Sequence, residues 1–220
     1  MKRAIIGCSI IKSDISDIIE GLPYECDVFW MDENLHDFPE KLHAALQEKI
    51  DELSDYDEII LSFMLCGNAL LGIKSETSRL IFMIADDCIY ATMCQRKDYP
   101  ELRKTSIFTS RGWLSTKRNM MSEYERSAKR YGEERAKRIF EMMYKNYKHA
   151  VYMQLEDTVS DENRQKAEEM ASKLGLELLY RDGSLDFYRE LFDINRSSSR
   201  ICVLEPGNAV SMNIFMGEKK

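Results

Sequence analysis

The sequence predicts an α/β fold, a mostly parallel sheet with helices on both faces, built as a single domain over residues 1–220. Short β-rich runs alternate with helical patterns, and parallel strands need such crossovers. Most of the strand-like runs are apolar throughout, as strands buried on both faces are. A chain of 220 residues can bury one sizeable core and is short for two ordinary domains.

The first run, Ala4–Gly7, follows Met1-Lys2-Arg3, and Lys12 and Asp14 close the apolar stretch that contains it. That stretch is far too short before Cys8 for a secretion signal or lipoprotein cleavage site, so it reads as a buried strand. Strands follow at Asp27–Met31 and Glu58–Met64. Between them Pro39 opens a crossover helix in which Leu42, Ala45, Leu46, Ile50 and Leu53 recur at helical spacing. Further strands are expected at Leu80–Ala85, Ser106–Thr109, Ala150–Leu155, Leu176–Tyr180 and Ile201–Leu204. A long helical stretch runs from Asn119 to about Tyr147, and its Met and Tyr residues read as packing. Ser160-Asp161 caps a helix that reaches Leu174 before Gly175, and Ser184 is expected to cap a short one through Phe192. Ser197-Ser198-Ser199 is a loop, and no internal repeat is evident.

Composition narrows the function classes. No apolar run approaches the roughly 18 to 20 residues of a membrane span, so no membrane partner is expected. A net charge of -7 and a pI near 5.2 leave no general positive field for phosphate backbones, which argues against nucleic acid. The six cysteines, at 8, 26, 66, 88, 94 and 202, are expected as free thiols of a cytoplasmic protein, because disulfide frameworks belong mainly to small secreted chains.

Cys8, Cys66 and Cys88 each follow an apolar strand. The carboxyl ends of parallel strands lie on one edge, where open α/β folds place their ligands, so thiols distant in sequence can meet there. Thiolates suit zinc, iron–sulfur clusters and other soft metals, and three leave a fourth position open. Asp86, Asp87 and His36 are the nearby candidates for it. Taken singly, each cysteine is explained as a small buried hydrophobe; the shared placement argues for a site. Gly67 and Asn68 form a strand-to-helix turn where backbone can approach a ligand, although a plain tight turn has the same residues. His36, after the second strand, is a metal ligand or proton carrier with Asp37 as orienting partner, or a solvated loop histidine. No Walker lysine, Gly-x-Gly-x-x-Gly or nucleophile elbow is present.

These residues give the chain a resemblance. Cys8, Leu35-His36 with Pro39, Leu65-Cys66-Gly67-Asn68 with Leu71-Gly72, Asp87-Cys88-Ile89 with Tyr99, Gly112-Trp113, Tyr131-Gly132-Glu133 and Pro206-Gly207 span nearly its whole length. Together they resemble an uncharacterised domain-of-unknown-function family of anaerobic bacteria and archaea, often encoded beside corrinoid-dependent methyltransferases. Asp86 stands where that family has histidine, Cys94 where it has glycine, and Arg111 where proline precedes Gly-Trp. The resemblance implies an accessory role in one-carbon or corrinoid methyl-transfer metabolism, with a corrinoid protein or methyltransferase as partner. The expected function is thus a metal-binding or iron–sulfur protein of that metabolism. The alternative is a small-molecule or corrinoid-binding module whose thiols line a pocket, against which stands the absence of Asp-x-His-x-x-Gly, the usual cobalt-ligand pattern.

Overall fold

A computed structural model describes residues 1–156 and 159–216 of the chain. In chain order the elements are β1 (Arg3–Cys8), α1 (Lys12–Glu20), β2 (Asp27–Met31), a 3-10 turn (Glu33–Leu35), α2 (Pro39–Glu52), β3 (Glu58–Leu61), β4 (Arg79–Met83), α3 (Cys88–Met93), α4 (Tyr99–Thr105), β5 (Ser106–Thr109), α5 (Arg111–Ser115), α6 (Met120–Tyr131), α7 (Glu133–Tyr144), β6 (His149–Gln154), α8 (Asp161–Leu174), β7 (Glu177–Asp182), α9 (Asp186–Phe192), β8 (Ile201–Leu204) and α10 (Met212–Met216). The architecture is α/β with mostly parallel strands, divided between two sheets. The chain forms two compact units, one from Met1–Thr92 and the segment from Leu185 onward, the other from Met93–Ser184.

In the first unit the strand order is β2-β1-β3-β4-β8. All neighbours are parallel except β8, which runs antiparallel to β4. The side-chain period of two explains why its central strands are apolar throughout. Ala4 and Ile6, Ile59 and Leu61, and Leu80 and Phe82 pack against Leu42, Leu46 and Ile50 of α2. The alternate residues Ile5, Ile60 and Ile81 are buried as well, on the opposite face. α9 packs on β4 and against α1. Each such side chain, fully buried, contributes roughly 1.5–3 kcal/mol.

Charge gathers at the amino edge of this sheet. Arg3, Glu58 and Arg79 are register partners on β1, β3 and β4. The buried Glu58 carboxylate accepts from Arg3 Nε at 2.8 Å and lies 2.9 Å from both Arg79 Nη2 and Arg196 Nη2.

In the second unit β5-β6-β7 form a parallel sheet. Ala167, Met170, Ala171 and Leu174 of α8 share its core with Tyr124, Ala136 and Phe140. Ser160 Oγ accepts from the Asn163 amide at 3.2 Å, and left-handed Gly175 ends the helix, so both ends of α8 lie where the caps place them.

Several expected boundaries move. The expected Asn119–Tyr147 helix is two, α6 and α7, because Gly132 at φ 86° and ψ 152° leaves helical geometry between them. β3 ends at Leu61 and β4 at Met83, short of the expected Met64 and Ala85, because the chain leaves the regular ladder there. Leu185, not Ser184, precedes α9 as its N-cap. Among the described residues no helix is long and apolar enough to cross a membrane.

Candidate thiol site

β1, β3 and β4 are adjacent and parallel, so their carboxyl ends open on one edge of the first unit. Cys8 is the last residue of β1, and its amide donates to Ser62 Oγ at 3.3 Å, just beyond β3. Past the regular strands, the Leu65 amide donates to the Ala85 carbonyl at 3.0 Å and the Cys66 amide to the Asp86 carbonyl at 2.9 Å. These bonds carry β3 and β4 pairing into their loops, which puts Cys66 beside the segment that leads into Cys88. Cys88 opens α3, whose first turn is capped by Asp87 Oδ1 accepting from the Tyr90 amide at 2.8 Å.

The loop that holds Cys66 is unusual in its backbone. Cys66, Gly67 and Asn68 have φ of 44°, 67° and 74°, three consecutive left-handed residues. Glycine and asparagine tolerate this region; for cysteine it costs about 1–2 kcal/mol. A Cβ at Gly67 would meet Pro39 Cγ at 3.1 Å, so the turn is packed onto the start of α2 as well as twisted. His43 of α2 adds a contact from Nδ1 to the Ala69 carbonyl at 3.0 Å. Strain of this kind concentrates at binding and switch sites. Gly7, just before Cys8, is constrained differently: a Cβ there would meet the Trp30 ring at 2.4 Å.

The three thiols are partly buried and electrostatically aware of one another. Burial pushes the Cys66 thiol up to about 12; the Met64 amide offsets this in part, and negative charge on Cys8 and Asp87 adds to it. Burial also drives Cys88 well above the ordinary thiol range, with charge on Cys66, Cys8 and Asp87 acting in the same sense. Cys8 is raised by burial against the opposing hydrogen bonds of the Ile10 and Ile11 amides. Burial lowers His36, against the pull of Asp37 and Asp87, which leaves a neutral imidazole at neutral pH.

The expected site residues therefore separate into groups. Cys8, Cys66 and Cys88 come within reach of each other's charge. Charge on Asp87 acts on Cys66, Cys88 and His36 alike, so it lies within electrostatic reach of all three. Asp86 has an exposed side chain and faces the loop of Cys66 through its carbonyl, so Asp87 is the carboxylate nearer the sulfurs. Gly67 and Asn68 are exposed in the strained turn. Among the described residues, no group of three or more His, Cys, Asp or Glu side chains is arranged to hold a metal ion.

One residue within electrostatic reach of these thiols lay outside the sequence reading. Tyr188 of α9 is fully buried, and charge on Cys88, Cys8, Cys66 and Asp14 reaches its phenol, which burial has already raised well above the ordinary range. Only its place on an amphipathic helix pattern was visible in sequence, and that pattern reads as core.

The raised thiols make alkaline stability a test of this electrostatic picture. Above pH 9.0, the ordinary thiol value, Cys66 keeps its proton in the folded chain and loses it in the unfolded one, up to about pH 12. The folded state then binds more protons, so stability falls as pH rises, by about 1.4 kcal/mol per pH unit for each such thiol. Chemical denaturation of the metal-free protein at several alkaline pH values should show that decline, and Cys66→Ser should flatten it. A slope unchanged by the substitution would contradict the assignment.

A family model described as "Protein of unknown function (DUF1638)" matches residues 30–192, a segment that includes His36, Cys66, Cys88 and Tyr188 and starts after Cys8. No curated protein and no solved structure matches the chain.

Proposed function

Since the chain belongs to this family of proteins of unknown function, we propose from its own residues that it is a thiophilic-metal protein. In this reading Cys8, Cys66 and Cys88 hold zinc or an iron–sulfur cluster at the carboxyl edge of the first sheet. The observation that carries the proposal is that, among three thiols far apart in sequence, charge on Cys8 raises both Cys66 and Cys88, and charge on Cys66 raises Cys88. Like charges that repel at one place are what a soft cation would neutralise. His36, kept neutral by burial, and Asp87 are the candidates to complete or orient the site, with the exposed Asp86 a weaker fourth ligand. The strained turn at Cys66, Gly67 and Asn68 supports the same reading, because strain is retained where geometry serves a ligand.

A thiolate-bound zinc would activate a thiol substrate, and a cluster would pass electrons. The protein's own contribution is to bind and to release protons: the thiols are protonated in the metal-free chain and must lose their protons on loading. The proposed setting is cytoplasmic, in one-carbon or corrinoid methyl-transfer metabolism of anaerobes, beside a corrinoid protein or methyltransferase. The support for that setting is the resemblance of the motifs around these cysteines.

Metal analysis of anaerobically purified protein, with its visible spectrum, tests the proposal. About one zinc per chain without colour, or iron with a sulfide-type absorption, supports it and chooses between the metals. Protein that contains neither, and accepts neither on anaerobic reconstitution, would leave the corrinoid or small-molecule module as the reading to pursue.

A further inference from the structure

At the amino edge of the first sheet, the end away from Cys8, three guanidiniums surround one carboxylate. Arg3 Nε donates to Glu58 at 2.8 Å, Arg79 Nη2 lies 2.9 Å from it, and the two Nη atoms of Arg196 donate to it at 3.3 and 2.9 Å. A carboxylate offers about four acceptor positions, so Glu58 is fully used while each arginine still has N–H groups to place. Three positive charges against one negative also leave an excess of two.

The remaining donors have poor partners. Arg3 Nη2 lies 3.0 Å and Arg79 Nη2 4.0 Å from the sulfur of Met1, a weak acceptor in a residue that is 70% exposed. The buried Nε of Arg196 has no hydrogen-bond partner among the described residues, and Arg196 is held at φ 40°, a left-handed conformation uncommon outside glycine. Two of the side chains are fixed in advance: Arg3 by Glu58 and by the Tyr24 ring 4.7 Å from its guanidinium, Arg196 by its pair of bonds to Glu58. The Arg3 and Arg196 side chains are 11% and 10% exposed and that of Arg79 34%, so the group opens to solvent beside Arg79 and Met1. Asp57 and Asp27, on the same edge, are bonded elsewhere, to the Lys2 amide and the Tyr56 hydroxyl, both at 2.6 Å.

We propose that Arg3, Arg79 and Arg196 form a binding site for a phosphate group, which takes the place of the Met1 sulfur over the two Nη2 donors. A phosphate ester carries about −1.5 to −2 charge near neutral pH and several strong acceptor oxygens, so it answers both the excess charge and the unfilled donors. Arginine's planar fork suits that group better than a lysine ammonium would. Glu58 aims the guanidiniums and supplies the countercharge that lets the fold hold them together without a ligand. The occupant is free phosphate or the phosphate of a small metabolite, and only the exposed Met1 side chain has to move to admit it. The site is separate from the cysteines and stands whether or not they bind metal.

Isothermal titration calorimetry of the full-length protein without an N-terminal tag, at an ionic strength held constant with chloride, gives the test. Inorganic phosphate and glycerol phosphate are titrated separately; binding of either supports the proposal, and the tighter of the two names the source of the group. At about a hundredfold excess over its dissociation constant, the bound anion should raise the melting temperature by roughly 5–10 °C. Arg79→Gln should weaken binding by about tenfold or more, the effect of losing one charge-assisted hydrogen bond, and acetate should bind the parent more weakly by a similar factor. Arg135→Gln, which removes an exposed arginine of α7, should bind as the parent does. If Arg79→Gln fails to fold, Arg79→Lys keeps the charge without the fork and should fall between it and the parent. A parent that gives no heat and no melting shift beyond that of chloride would overturn the proposal. So would undiminished binding by both Arg79 variants, equal weakening by Arg135→Gln, or acetate bound as tightly as phosphate.

Discussion

Cys66→Ser is expected to empty the site. Its alcohol ionises far less readily than a thiol and is a poor ligand for soft metals, so metal content or cluster colour should be lost during purification. Cys88→Ser and Cys8→Ser should behave alike. The loss should exceed the roughly 10–100-fold that removing an outer-shell partner costs, because a direct ligand is gone. The fold should survive, since the three cysteines are only partly buried at the rim of the sheet. Inductively coupled plasma analysis of the three variants beside the parent, each with a thermal melt, makes the comparison. Full metal retention by any one of them would remove that residue from the site.

Glu58→Ala should give the largest loss of stability, about 3–5 kcal/mol, because it leaves the Arg3, Arg79 and Arg196 guanidiniums facing one another around a buried vacancy. Burial alone would raise the Glu58 carboxyl, but Arg3, Arg196 and Arg79 outweigh it and hold it below its ordinary value. Such a carboxylate contributes stability above its unfolded pKa and loses that contribution as pH falls through the lower folded one. The parent should therefore weaken in acid, and Glu58→Ala should show less of that decline. Urea denaturation at neutral and acid pH would measure both. A loss below about 1 kcal/mol would mean that the arginines find other partners.

How much of this was legible in the sequence follows from the reach of each signal. The central strands and α2 were readable because local periodicity and burial coincide in Ala4–Gly7 and Leu42–Ile50. The strand ends were less so: Phe63–Leu65 continues the apolar run after β3 has ended, and Phe63 and Met64 stay buried while the backbone still bonds to β1 through the Ser62 amide and to the loop after β4 through the Leu65 amide. The edge argument could place Cys8, Cys66 and Cys88 at the carboxyl ends of adjacent strands because it needs only strand direction. It could not rank Asp86 against Asp87, since neighbouring loop residues point differently and no period governs them. The Glu58 cluster depends on register across three strands and on a loop residue, Arg196, none of which a single segment encodes. Gly132 did carry a local signal, a glycine inside a helical pattern, and it marks the division between α6 and α7.

The first unit is discontinuous in the chain, and this has a consequence for how the protein is made. Every cysteine of the site has left the ribosome's active centre by residue 88, but α9 and β8, with Tyr188 and Arg196, come only after the whole of Met93–Ser184 has been translated. At the roughly 5–20 residues per second of synthesis, that interval lasts on the order of 5–20 s. During it the nascent chain carries its thiols without the helix that later covers Ile81 and its neighbours, and without the arginine that closes the carboxylate cluster. Nascent chains arrested before residue 185 should react faster with alkylating reagents at the three cysteines than chains released after β8, in which those thiols are partly buried. The first unit is thus finished only after the whole of the second has been translated.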